Sequence, residues 1–321
     1  MAGAMTEGAV KPARHWASIN EISFVAGMRL LFWICRVFGR WPFRIVLYPV
    51  LGWYLATKPL PRGASRDYLR RVRAHTGRDA GGVLAHFAAF AEAILDKMLL
   101  WGGLFEFDTV QLHGEKVIGD AAAQGRGGLL ICSHLGNLEL CRVLSRQRND
   151  IKLTVLVHTR HAKAFNQMLG RLNPESQLNL MQVTEMSPAT AIQLSERVAR
   201  GEFVVIAGDR VPVSHNPRVA VASFLGAPAA FPVGPYVLAS ILQCPVYLLF
   251  STRQGPRSDV YFESFRDQVR VPRQGRDAAL AALAADYAAR LEHHCLRAPL
   301  QWFNFYDFWH LPTQDQPDAP R

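Results

Sequence analysis

The stretch GLLICSHLGNLE, residues 128–139, decides how the fold is read. Residues 128–132 carry no charged or amide side chain and have the length and Leu/Ile content of a strand buried on both faces, the kind found in parallel sheets covered by helices. Residues 133–136 then form a polar break containing Gly136, and a helix-like stretch runs from about Asn137 to Arg146. A strand, a tight turn and a helix in quick succession open a βαβ unit.

The same rhythm continues on the carboxyl side. Short Val/Ile/Leu-rich runs at 153–157, 178–181, 203–207, 219–224, 246–251 and 260–265 are expected as strands, with helices over 162–171, 188–200 and 234–242 and a long Ala-rich helix over 276–296. On the amino side, residues 81–101 are good helix formers and apolar almost all round, interrupted by His86, Glu92, Asp96 and Lys97, which predicts a helix buried on most sides or lying against lipid. The expected fold class is α/β: a mostly parallel central sheet flanked by helices, preceded by an amino-terminal amphipathic, membrane-associated helical region. The expected boundaries are 1–80 for that basic, aromatic-rich region, 81–312 for the α/β domain, and 313–321 for a disordered tail of Pro, Gln and Asp.

A chain of 321 residues that is 50% hydrophobic and 19% charged has ample apolar material for a core, which excludes disorder throughout. Without a fixed-period repeat it is no collagen, solenoid or propeller. Cys35, Cys132, Cys141, Cys244 and Cys295 are scattered and lack a C-x-x-C pair, which argues against a disulfide framework or a zinc ribbon and for a reducing compartment. Charge is unevenly placed: residues 1–80 hold 13 Lys/Arg against four acids, and the rest is nearly balanced. The same quarter carries the apolar runs 22–35 and 45–56, threaded with Arg29, Arg36, Arg40 and Arg44. Nucleic-acid binders concentrate positive charge but do not usually thread it through Phe, Trp, Leu and Ile, so nucleic acid is not an expected partner, whereas a bilayer accommodates both features. Neither run reaches the ~20 apolar residues of a spanning helix. The reading is an interfacial helix pair, against the alternatives of one span near 45–56 and of ordinary buried core helices. The apolar run starts too late and lacks the small-residue end of a cleaved signal peptide, so the chain is expected on the cytoplasmic side.

Ligands of open α/β sheets bind at the carboxyl ends of strands, and two polar groups stand there. Ser133 to Glu139 follow the first strand, and with Gly136 allowing a tight turn, His134 and Glu139 can touch. A carboxylate on one imidazole nitrogen fixes the tautomer and leaves the other free to take a proton from a hydroxyl. The plainer reading is a helix-start histidine with a first-turn glutamate favoured by the helix dipole. Gly208-Asp209-Arg210 follow the run 203–207: acid and base could hold a hydroxyl and a phosphate, or form a structural ion pair. His293 and His294 point about 100° apart on a helix, so no metal site is expected, and no cofactor is required.

These blocks together carry a resemblance. SHLGNLE after a buried strand, the strand ending in GDR, and FLGAPA with FPVGP leading into a helix resemble the bacterial lipid A biosynthesis (lauroyl/myristoyl) acyltransferases, within the lysophospholipid acyltransferase superfamily. The resemblance spans nearly the whole chain. It implies a membrane-bound enzyme moving an acyl chain from acyl carrier protein, or from acyl-CoA, onto a hydroxyl of a lipid acceptor at the cytoplasmic face of the bacterial inner membrane. It further implies His134 as general base, Glu139 as its orienting acid, and Asn166, Arg171, Asp209 and Arg210 as substrate-side residues. Backbone N–H groups around Gly136 would serve the oxyanion. No G-x-S-x-G elbow is present, so Ser133 is not expected to form an acyl-enzyme. Where lipid A enzymes usually show Asp-Gln-Asp this chain has Gly208-Asp209-Arg210, and a basic His-Arg-Arg-Trp-like close is replaced by QWFNFYDFW over 301–309. An acceptor of another kind, an aryl-polyene pigment lipid or an aminolipid, fits equally, and a non-catalytic peripheral lipid-binding protein is the alternative outside the enzyme class.

Overall fold

A computed structural model of the chain describes residues 30, 33–101, 103–141, 151–157, 179–182, 187–212 and 217–311. The strands within them are β1 (Val110–His113), β2 (Gly128–Cys132), β3 (Leu153–Val157), β4 (Asn179–Gln182), β5 (Phe203–Ala207), β6 (Val219–Phe224), β7 (Ala227–Pro232), β8 (Val246–Gln254) and β9 (Arg257–Arg266). Seven of these form one sheet in the order β1-β9-β8-β2-β5-β3-β4, and β6 pairs with β7 in a separate hairpin. Every pairing in the large sheet is parallel except β8 with β9, so the expected α/β class with a mostly parallel sheet holds.

Helices among the described residues include α1 (Trp41–Thr57), α2 (Pro59–Thr76), α3 (Val83–Trp101), α4 (Glu115–Ala123), α5 (Pro188–Ala199), α6 (Gly234–Leu242) and α7 (Arg276–Arg297). Strand alternation sorts β2 between the two faces of the sheet. Leu129 and Ile131 join a core with Tyr287 and Leu291 of α7 and with Tyr68, Leu69 and Val72 of α2. Leu130 and Cys132 join the opposite core with Ile118 of α4 and Leu100 of α3. With both faces covered, β2 is buried along its whole length, as its uninterrupted apolar run requires.

Several elements depart from expectation. β1 and α4 were not foreseen, because four residues beside a sheet edge and a nine-residue helix give little periodicity. β7 reads APAAFP, poor strand material that is held by pairing with β6 across a turn in which Leu225 and Gly226 both have positive φ. In place of a helix starting at Asn137 there is a 3₁₀ turn over Leu138–Cys141; the rest of that stretch, the helix at 162–171 and the tail at 313–321 lie outside the described residues.

In the amino-terminal region, α2 buries Ser65, Tyr68, Leu69 and Val72 and leaves Arg66, Arg70 and Arg73 exposed. On α1 the apolar residues fall on both sides: Leu47 and Leu51 are buried, while Trp41, Ile45, Val46, Tyr48, Val50 and Trp53 are exposed. Trp33, Val37 and Phe38 extend that exposed apolar surface. Among the described residues no helix is long and apolar enough to cross a membrane.

Candidate active site

Register builds the site. β2 and β5 are parallel neighbours with Cys132 paired to Ala207, so the residues two positions beyond each strand, His134 and Asp209, emerge side by side. The Gly208 N–H donates to the Cys132 carbonyl at 2.8 Å and closes the two strand ends together. A Cβ at Gly208 would lie 2.6 Å from Ile131 Cγ2 and 2.9 Å from the Tyr287 ring, so any larger residue would push this corner apart.

Asp209 grips His134 with both oxygens. His134 Nδ1 bonds Asp209 Oδ1 at 2.7 Å, and the His134 backbone N–H donates to Oδ2 at 2.7 Å. Oδ2 also accepts from Trp302 Nε1 at 2.9 Å and from Asn304 Nδ2 at 3.1 Å. Asp209 is fully buried while the His134 side chain is 28% exposed, so the ring sits between a closed carboxylate and open space. Burial alone would raise the Asp209 pKa, but the charge and hydrogen bonds of His134 and the bond from Trp302 outweigh it and hold the carboxyl below its usual range. An ionised carboxylate on Nδ1 keeps the proton there and leaves the Nε2 lone pair free to accept one.

The carboxylate on His134 Nδ1 is that of Asp209, where the sequence reading placed Glu139. Glu139 lies in the 3₁₀ turn and its Oε1 is 3.3 Å from Lys97 Nζ of α3. The helix expected to turn Glu139 onto the imidazole is not formed at its start. The N–H of Gly136, expected to serve an oxyanion, donates to the Gln301 carbonyl at 2.8 Å. Arg210 stays exposed at the site, but Nε and Nη2 donate to Asn304 Oδ1 and the Phe303 carbonyl, so it braces the carboxyl-terminal loop. Asn166 and Arg171 lie outside the described residues.

That loop is the part sequence reasoning missed. The Phe303 N–H donates to the His134 carbonyl, and Leu135 bridges Trp302, so residues 301–304 lie along the His134 loop like a short strand. Trp302 is fully buried among Tyr68, Phe224 and Phe308. Its carbonyl accepts from His86 Nε2 of α3 at 2.9 Å, which leaves His86 Nδ1 to accept from Ser65 Oγ of α2 at 2.9 Å. The only sequence signal was aromatic density at 302–309, which has no local period.

Burial pushes the His86 pKa down to about 4, against a partial rise from the Trp302 carbonyl. Its folded pKa lies below the unfolded value, so the unfolded chain binds the extra proton. The stabilisation is complete above pH ~6.5 and is lost as pH falls toward 4, by about 3 kcal/mol over that window. Denaturant titrations at pH 7 and pH 4.5 are expected to show this loss in the parent and to show it reduced in His86→Gln. An equal acid loss in both would remove the assignment.

Asp96 of α3, which interrupts the apolar stretch 81–101, is 3% exposed and paired with Arg40 and Arg253. Burial raises its pKa, and the two arginines oppose that.

No curated protein of known function matches this chain. Residues 105–310 match the family described as bacterial lipid A biosynthesis acyltransferase. That range begins at Phe105, just ahead of β1, and takes in the His134 loop, Asp209, and the Trp302 segment that joins them. The chain belongs to the bacterial lipid A biosynthesis acyltransferase family.

Proposed function

We propose that this acyltransferase is a membrane-associated O-acyltransferase in which His134 is the general base and Asp209 its orienting acid. The observation that carries the reading is the 2.7 Å bond from the buried Asp209 carboxylate to Nδ1 of a partly exposed imidazole. His134 Nε2 takes the proton of an acceptor hydroxyl as its oxygen attacks the carbonyl of an acyl thioester. The acyl–oxygen bond forms, the acyl–sulfur bond breaks, and the proton passes from the imidazolium to the leaving sulfur. Asp209 stabilises the imidazolium in between, and no acyl-enzyme is required.

The donor is acyl carrier protein, with acyl-CoA as the alternative carrier, and the acceptor is a lipid or glycolipid hydroxyl of the lipid A type. Arg210, exposed beside Asp209, is suited to an acceptor phosphate; Asn166 and Arg171 complete the proposed substrate side. The exposed apolar surface from Trp33 to Trp53, followed in the chain by the arginines of α2, supports seating at the cytoplasmic face of the inner membrane, with indole rings at headgroup depth and arginines on anionic lipid.

Mass spectrometry of lipids from cells with and without the protein tests this directly. One ester-linked acyl chain is expected to vanish from one lipid class when the protein is absent, and the missing ester names acceptor and chain together. In vitro, the purified protein with a dodecanoyl thioester of acyl carrier protein and a hydroxyacyl lipid A precursor in detergent is expected to form that ester. An unchanged lipid profile with no thioester consumption would return the protein to the non-catalytic lipid-binding class.

A further inference from the structure

With the Gly136 N–H engaged by Gln301, the oxyanion of the reaction needs other donors, and among the buried polar groups without a partner are two on the His134 loop and the adjoining strand β8. Asn137 is 8% exposed and its Nδ2 makes no hydrogen bond; Ser251 is 1% exposed and its Oγ makes none. A buried polar group left unmet costs about 1–3 kcal/mol, so two in one place call for a reason.

Their placement supplies one. β8 flanks β2 on the side opposite β5, and Cys132 pairs with Leu249. Ser251 is two residues beyond Leu249, as His134 is two beyond Cys132 and Asp209 two beyond Ala207. The three residues emerge at one height on three adjacent strands, with His134 in the middle. Gly136 (φ +64°) packs so closely on β8 that a Cβ there would lie 2.3 Å from the Ser251 carbonyl oxygen and 3.2 Å from Ser251 Oγ. Asn137 Oδ1 accepts from the Glu139 N–H at 3.1 Å, which fixes the amide and turns Nδ2 away from that turn. Gly136, Asn137 and Ser251 line one cavity of about 390 Å³, whose wall continues through Ala89, Ala93 and Phe303. Ser133 Oγ is also buried without a partner; neither Ser133 nor His134 is on that wall, which His134 adjoins through Gly136 and through Phe303, whose N–H donates to the His134 carbonyl.

We propose that Asn137 Nδ2 and Ser251 Oγ are the carbonyl-binding pair of the acyl transfer, taking the thioester carbonyl oxygen of the donor. This rests on the reading of His134 as general base. As the hydroxyl oxygen bonds to the carbonyl carbon, the C=O π pair moves onto oxygen, where the amide N–H and the hydroxyl donate to it. When the carbon–sulfur bond breaks, that pair returns. Both residues keep their protons throughout, since the travelling proton goes by way of His134. Donors held in place and shielded from water act most strongly on charge that exists only in the transition state.

Asn137→Asp keeps the Oδ1 acceptor for Glu139 and replaces the donor with an acceptor; Ser251→Ala deletes a hydroxyl that bonds nothing in the resting protein. With the dodecanoyl carrier-protein thioester and the lipid A precursor in detergent, kcat is expected to fall about 10²–10³-fold in Asn137→Asp and at least about tenfold in Ser251→Ala. KM for the thioester should stay within about threefold, and the Ser251→Ala melting temperature should not fall. An unchanged kcat in Ser251→Ala while His134→Ala is inactive overturns the pair and leaves the acyl-transfer reading standing. Full turnover in His134→Ala overturns both.

Discussion

Replacing His134 by Ala is expected to lower kcat for acyl transfer by about 10⁴-fold, at the upper end of what one general base contributes. The loss should appear in kcat with little change in KM for the thioester, because the imidazole acts on the hydroxyl proton and not on donor binding. Folding should survive: the His134 side chain is 28% exposed, and the backbone bonds of its loop, from His134 N–H to Asp209 and from Phe303 N–H to the His134 carbonyl, do not use the ring. A folded His134→Ala protein turning over within tenfold of the parent would end the general-base assignment. The melting temperature, measured alongside, separates that result from simple unfolding.

His134 could be found in the sequence because its signal is local: a buried apolar run ends, a polar break follows, and the histidine is in it. Its acid could not be chosen the same way. Glu139 was favoured because it is five residues off, whereas Asp209 is 75 residues away and becomes a neighbour only because β5 returns between β2 and β3 in the sheet. Strand order is a property of long-range packing, and no pattern within either strand encodes it. Both corners were nevertheless singled out as strand ends, and the structure bonds them to each other, a contact the sequence reading did not draw. Trp302 and Asn304 left no trace beyond the aromatic density of their segment, since what they touch lies across the molecule. The turn at Gly136 was legible from the residue type, but the Gln301 carbonyl that consumes its N–H was not.

The amino-terminal helices are tied to the site by the same kind of long-range contact. His86 of α3 holds the Trp302 carbonyl, and Ser65 of α2 holds His86. Asp96 of α3 bridges Arg40, which precedes α1, and Arg253 near the end of β8, two residues past Ser251. A helix layer with an exposed apolar surface is thus bonded directly to the strand ends of the proposed site. Lipid contact on α1 and a reacting hydroxyl at His134 would then be held in one frame, which suits an acceptor that never has to leave the membrane surface.

Asp209→Asn is expected to cost about 10³–10⁴ in kcat, and the reason is which way the new amide must face. Three N–H groups, from the His134 backbone, Trp302 Nε1 and Asn304 Nδ2, all point at Oδ2. The amide oxygen has to occupy that position, which places the NH₂ where Oδ1 was, against His134 Nδ1. Nδ1 must then accept, the ring proton moves to Nε2, and the base loses the lone pair it works with. Glu139→Gln leaves this arrangement untouched and is expected to lower kcat by less than about 10²-fold. The double variant His134→Ala with Asp209→Asn should be little worse than His134→Ala alone, since the two groups act as one unit. Steady-state rates for the four proteins decide the matter: a Glu139→Gln loss equal to or larger than that of Asp209→Asn would hand the orienting role back to the nearer acid.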